Sequence, residues 1–204
     1  LDPLGMTQTR LGLAGFLAAP DRSSGYYPSP VGRIKIPPQD TDAIGPAAAI
    51  YANIEDMARW LRFLQNADYM ATARIDINQP SRHAELGPKA YGMGLYVGSY
   101  RGNKLARHPG VIDGYSALIS FMPAQKLGII VLTNKSGGNP APTAISYATY
   151  DRILRLEPID WLRRYRSSKE RRYKHTDAPN SPATKRPPPP LPKSAYHGVF
   201  EHPA

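Results

Sequence analysis

Between Tyr91 and Asn134 the chain alternates short apolar segments with turn residues, and this rhythm constrains the fold more than any other feature. Residues 114–121 alternate and place Tyr115, Ala117, Ile119 and Phe121 on one face. Leu127–Thr133 is an unbroken apolar run, the pattern of a central strand covered on both faces. Residues 91–100 read as a further strand, and 104–108 as a short one. Arg101-Gly102-Asn103-Lys104 and Pro123-Ala124-Gln125-Lys126 have turn chemistry, so the strands are expected to form an antiparallel meander.

Helices are expected on either side of this block. Met57, Trp60, Leu61 and Leu64 follow the 3.6-residue period, with Asn53 as a cap and Glu55 and Asp56 suited to the helix dipole. A second helix is expected over residues 143–156, with Ile145, Ala148, Ile153 and Leu156 buried. The first 45 residues, rich in Gly and Pro, read as loops with short strands. Within them Gly25-Tyr26-Tyr27-Pro28 and Gly32-Arg33-Ile34-Lys35-Ile36-Pro37 are the arms of an irregular hairpin. Residues 68–89 are polar and ambiguous. The expected class is α+β, an antiparallel sheet packed against helices.

Charge separates a tail from this body. Of the net +10, residues 161–204 carry 10 Lys/Arg against 3 Asp/Glu, so the body is nearly balanced. Arg163-Arg164-Tyr165-Arg166 and Arg171-Arg172-Tyr173-Lys174 precede Pro187-Pro188-Pro189-Pro190. The expected organisation is a body over 1–160, a disordered basic Pro-rich linker over 161–193, and over 194–204 the start of something the chain does not finish. Without a fold to aim it, the basic run gives only salt-sensitive, nonspecific contact with nucleic acid. With no Cys, disulfides, thiolate metal sites and a Cys nucleophile are excluded from this chain. No apolar run reaches the roughly 20 residues that a membrane-spanning helix requires. The five histidines lack metal-ligand spacing, so neither metal nor cofactor is expected.

Three groups of residues resemble the β-lactamase-related serine hydrolases, the family of class C β-lactamases, D-alanyl-D-alanine peptidases and esterases. The first is Pro3-Leu4-Gly5-Met6-Thr7-Gln8-Thr9. The second is Gly45-Pro46-Ala47-Ala48-Ala49-Ile50 leading to Glu55-Asp56-Met57-Ala58-Arg59-Trp60. The third runs through Tyr91-Gly92-Met93-Gly94-Leu95, His108-Pro109-Gly110, Gly114-Tyr115-Ser116 and 127–134. The resemblance spans about residues 1–156, and Tyr196-x-Gly198-x-Phe200-Glu201-x-Pro203 is similar to the start of the small β-rich domain that often follows in this family, which implies a truncated domain of that kind over 194–204. The resemblance implies a penicillin-binding-protein-like fold and, for the complete protein, hydrolysis of an ester, amide or lactam through an acyl-serine, with a small-molecule or peptide acyl substrate. A periplasmic or extracytoplasmic location is suggested by the resemblance alone.

The mechanism of that family needs a Ser beside a Lys one helical turn away, which places the amine next to the hydroxyl it activates. No Ser-x-x-Lys occurs in this chain, nor any Gly-x-Ser-x-Gly. In the family, Ser-x-x-Lys and Tyr-x-Asn precede the segment matched by residues 3–9. The chain is therefore expected to be a C-terminal fragment, inactive alone and exposing apolar surface normally covered. Tyr51-Ala52-Asn53 matches Tyr-x-Asn only as a string; its place in the order makes Asn53 a helix cap. His108-Pro109-Gly110 corresponds to the third motif, Lys-Thr-Gly or His-x-Gly. The resemblance places His108 on the edge strand lining the cleft, followed by Gly110, with the Val111 N–H as one oxyanion-hole donor. Pro109 lacks the hydroxyl of the Thr form, which weighs against β-lactam specificity. Three competing readings stand beside these: His108 as a surface histidine before a turn, the chain as a non-catalytic binding homologue or truncated gene product, and the chain as a nucleic-acid or membrane-surface binder acting through its tail.

Overall fold

The computed structural model describes residues 1–29, 32–81, 83–136 and 138–166. Residues 1–162 form one compact unit. A second unit begins at Arg163, and its first four residues are helical. Residues 167–204, with most of the expected linker and the start of a further domain, lie outside the described residues.

The chain opens on a 3-10 turn, Asp2–Leu4, closed by Gly5 in the left-handed conformation. Strand β1 (Arg10–Leu11) follows, then helix α1 (Gly12–Ala18). The apolar piece around Phe16 is thus helical, where loops and strands were expected. Strands β2 (Gly25–Ser29) and β3 (Gly32–Ile36) form the expected hairpin, with Tyr26 opposite Lys35. A short helix α2 (Gly45–Ala48) leads to β4 (Ile50–Tyr51), which pairs with β1.

Helix α3 (Ile54–Gln65) is the one the 3.6-residue period predicts. The Asn53 side chain caps it, accepting from the Asp56 N–H at 2.9 Å. Its Leu61 and Leu64 are buried with Leu95, Ala106, Ile119 and Phe121, and Met57 and Trp60 pack against them.

The sheet that α3 covers is a six-stranded antiparallel meander in sequence order. Its strands are β5 (Ile75–Ile77), β6 (Lys89–Tyr91), β7 (Tyr96–Tyr100), β8 (Asn103–Ile112), β9 (Tyr115–Met122) and β10 (Leu127–Thr133). The strand expected over residues 91–100 is therefore two strands. The Gly92 N–H donates to the Leu95 carbonyl at 2.8 Å, and Gly94 takes φ +74°, so the segment turns there. The run expected to be a central strand, β10, lies at one end of the sheet and pairs with β9 alone among the described residues. Its apolar character comes from helices on both faces. A Cβ on Gly128 would stand 2.6 Å from Leu61 of α3. Ser120 of β9 faces the other way, toward helix α4 (Ala141–Ile153), and shares hydrogen bonds with Ser146 at 2.8 Å and Tyr150 at 3.1 Å.

Helix α4 does not bury the face its aliphatic residues suggested. Ile145 and Ile153 are about half exposed, while Ser146, Tyr147, Tyr150 and Asp151 are buried. Asp151 accepts from the Tyr100 hydroxyl at 2.8 Å and from Arg101 at 2.9 Å. Trp161 Nε1 donates to the Tyr100 hydroxyl at 2.8 Å, and the Tyr100 and Tyr147 rings stack at 4.4 Å. Burial pushes the phenols of Tyr100, Tyr147 and Tyr150 above their usual range, so they remain neutral at ordinary pH. Trp161, expected to open the linker, is 1% exposed and belongs to the body.

Candidate functional site

Strand β8 carries the three residues singled out by the sequence. Its first half is interior to the sheet, with Asn103 to Arg107 facing Tyr100 to Tyr96 of β7. Because the turn over Gly92–Leu95 ends β7 at Tyr96, nothing among the described residues pairs with β8 on that side beyond Arg107. Among the described residues His108 to Ile112 pair only with β9, from His108↔Ile119 to Ile112↔Tyr115. The expected edge strand is therefore an interior strand whose last five residues form an open edge. Pro109, which has no N–H to give to a ladder, sits in that open stretch.

His108, Pro109, Gly110 and Val111 are all exposed, Val111 by 64%. His108 does not stand alone. Its ring lies 6.0 Å from that of Tyr96, nearly parallel at 27°, and 6.4 Å from that of Tyr91. Tyr91 and Tyr96 meet edge to face at 4.9 Å. The two tyrosines flank the Gly92–Leu95 turn, so the hairpin that frees the β8 edge also supplies the rings beside the imidazole. Sequence reasoning missed this grouping because it read the segment as one strand; the signal was Gly92 and Gly94 between the two tyrosines.

Beyond Ile112, the β8–β9 turn is locked to the β2–β3 hairpin. The Gly114 N–H donates to Ser136 Oγ at 2.9 Å, and the Tyr26 N–H donates to the carbonyls of Gly114 and Asn134 at 3.3 and 3.1 Å. Gly114 has φ +88°, and a Cβ there would lie 2.8 Å from Gly25 Cα. Two glycines thus meet backbone to backbone where the hairpin docks.

The other sequence candidates resolve differently. Tyr51 stacks on Phe16 at 4.6 Å, as a packing residue. His83 sets its ring edge to face against Trp161 at 5.2 Å. His175, His197 and His202 lie outside the described residues. Among the described residues no cluster of three or more His, Asp or Glu side chains could hold a metal ion, and no helix is long and apolar enough to cross a membrane. A cavity of about 540 Å³, which sequence reasoning did not foresee, lies between α1, β3 and Tyr115, and none of His108, Gly110 or Val111 lines it.

The profile of the Beta-lactamase family matches residues 1–152, three quarters of the chain and every element from β1 to α4. The chain belongs to the Beta-lactamase family. Among curated members, it is similar to unguisins hydrolase ungD of Aspergillus violaceofuscus, at 28% identity over 98% of this chain and 42% of that protein. It is similar to unguisins hydrolase ungD' of Aspergillus campestris, at 30% identity over 99% of this chain and 42% of that protein. A human protein, putative beta-lactamase-like 1, is 29% identical over 76% of this chain and 31% of its own length. The chain thus spans less than half the length of these relatives. Among solved structures, the octameric penicillin-binding protein homologue from Pyrococcus abyssi superposes with a TM-score of 0.66 at 26% identity, covering 78% of this chain and 36% of that one. A penicillin-binding protein from Bacillus halodurans superposes at 0.52 and 17% identity, over 72% of this chain and 46% of that one, and supports the fold alone. The Beta-lactamase family's antiparallel sheet with helices is the architecture seen here.

Proposed function

We propose that this chain forms one wall of the active site of a serine hydrolase that cleaves an ester, amide or lactam through an acyl-serine, the nucleophile being supplied by a segment outside residues 1–204. The observation that carries this reading is the open edge of β8. It lies inside the family-matched region, exposes His108, Gly110 and Val111 together, and has no pairing strand on one side among the described residues. Two relatives that align over nearly all of the chain are named as hydrolases, which supports hydrolysis as the reaction.

In this reading His108 faces the substrate and organises charge near the reacting centre, with Tyr91 and Tyr96 restricting the orientation of its ring. The Val111 N–H donates to the oxygen that becomes negative as the carbonyl is attacked, a donor fixed in place before the reaction. Gly110 keeps the strand bare beside that oxygen. The Ser-x-x-Lys pair that attacks the carbonyl is absent from this sequence, so the chain alone turns nothing over.

The test is made on the protein extended to the length of its relatives. Turnover of an activated ester and the thermal midpoint are measured for the parent and for His108→Ala. Turnover is expected to fall by about 10² to 10⁴, the range for a positioned acid–base group. The midpoint stays put, because an exposed side chain carries little core packing. Unchanged turnover, or a loss of stability that accounts for the whole effect, makes His108 a structural residue and removes the reading's main support.

A further inference from the structure

The cavity beside Tyr115 has the size of a ligand site. At about 540 Å³ it falls within the roughly 300–1,000 Å³ of small-molecule sites. Phe16 and Leu17 of α1, Ile36 at the end of β3 and Tyr115 supply its apolar walls. Two of these walls hold each other in place. The Tyr115 hydroxyl donates to the Ser23 carbonyl at 2.8 Å, and Phe16 packs edge to face on Tyr115 at 6.4 Å. The charge on the lining is of one sign: Arg22 and Lys35 contribute to it, and no carboxylate does. Arg22 Nη1 donates to the carbonyls of Leu17 and Ala19 at 3.0 and 2.9 Å, which anchors its guanidinium beside α1. Lys35 is exposed, and neither Arg22 nor Lys35 forms a salt bridge among the described residues.

From this we propose that the cavity binds a small anion with an apolar body, such as a carboxylate on a hydrocarbon chain, its body between Phe16, Leu17, Ile36 and Tyr115 and its charge toward Lys35 and Arg22. Tyr115 pairs with Ile112, one register step beyond Val111↔Ser116, so the cavity continues from the end of the candidate cleft strand. Resting on the hydrolase reading, this makes the cavity the subsite for the part of the substrate remote from the scissile bond.

Binding is tested without catalysis. The chain is titrated calorimetrically with decanoate and with decanol at near-physiological salt. Decanoate is expected to bind saturably and at least about threefold more tightly than decanol, the scale of a partly exposed charge pair. Lys35→Glu, at an exposed position that folding tolerates, should reverse this preference. Leu17→Trp, which fills the chamber from a half-exposed site, should weaken both ligands about tenfold or more. Absence of saturable decanoate binding, equal affinity for acid and alcohol in the parent, or a preference unmoved by Lys35→Glu each overturns the proposal. None of these outcomes touches the hydrolase reading, which the effect of His108→Ala on turnover decides separately.

Discussion

The Thr9 hydroxyl donates a 2.9 Å hydrogen bond to Oδ2 of Asp56, a carboxylate with no solvent exposure that lies 47 residues further along the chain. The same oxygen accepts from the Gln8 N–H at 2.8 Å, and Arg59 approaches Oδ1 at 2.6 Å. This junction ties the first family-like segment to helix α3. Burial by itself raises the Asp56 pKa, but the bonds from Thr9, Gln8 and Arg59 outweigh it and hold the carboxyl below its ordinary value of 3.8.

A depressed carboxyl pKa stabilises the fold in full above the unfolded value, and that contribution disappears as pH falls through the folded value. Asp56→Asn should therefore lose about 2 kcal/mol at pH 7, the scale of hydrogen bonds to a charged group. Arg59, 44% exposed, adds little beyond its hydrogen bond. The gap between parent and variant should close as pH drops below about 3.8. Denaturant titrations at several acidic pH values check this; parallel stability curves contradict it.

Trp161 closes the body through its hydrogen bond to Tyr100. Trp161→Phe keeps most of the ring packing and should cost about 1 kcal/mol, whereas Trp161→Ala should cost about 3–5 kcal/mol. A chain ending at Asp160 should melt lower than one ending at Leu162. Equal midpoints for these two chains would return Trp161 to the linker.

Gly114 and Gly102 both have positive φ, but open space surrounds Gly102, while a Cβ on Gly114 meets Gly25. Gly102→Ala isolates the backbone strain, about 1 kcal/mol. Gly114→Ala adds a steric clash and should exceed it by at least about 1 kcal/mol. Proteolysis of the β2–β3 hairpin should also quicken in Gly114→Ala alone. Equal losses in the two variants would mean that the hairpin does not dock on Gly114.

What the sequence disclosed followed from periodicity. The meander was legible because strands β8 to β10 are separated by turn residues, and α3 because Met57, Trp60, Leu61 and Leu64 recur at one period. Where burial runs through hydrogen bonds, periodicity of apolar residues fails. The buried face of α4 is made of Ser146, Tyr147, Tyr150 and Asp151, and the aliphatic Ile145 and Ile153 point outward. The run in β10 spoke of two covered faces, which is what α3 and α4 provide, but position within a sheet is not written in face burial. Of the candidate site, His108, Gly110 and Val111 were reached through motif order. The tyrosines beside His108 depended on a turn that was not anticipated. The cavity joins α1, β3 and β9, elements far apart in sequence, and has no local signature.

The central claim is that residues 108–111 form one wall of a site whose nucleophile lies outside residues 1–204. The most direct measurement treats the protein extended to the length of its relatives, and the present chain alone, with a fluorophosphonate, which phosphonylates an activated serine as fluoride leaves, followed by peptide mass mapping. The expected result is one stoichiometric adduct, on a Ser of a Ser-x-x-Lys beyond residues 1–204, and no labelling of the chain alone. A stoichiometric adduct on any serine within residues 1–204 would contradict the account.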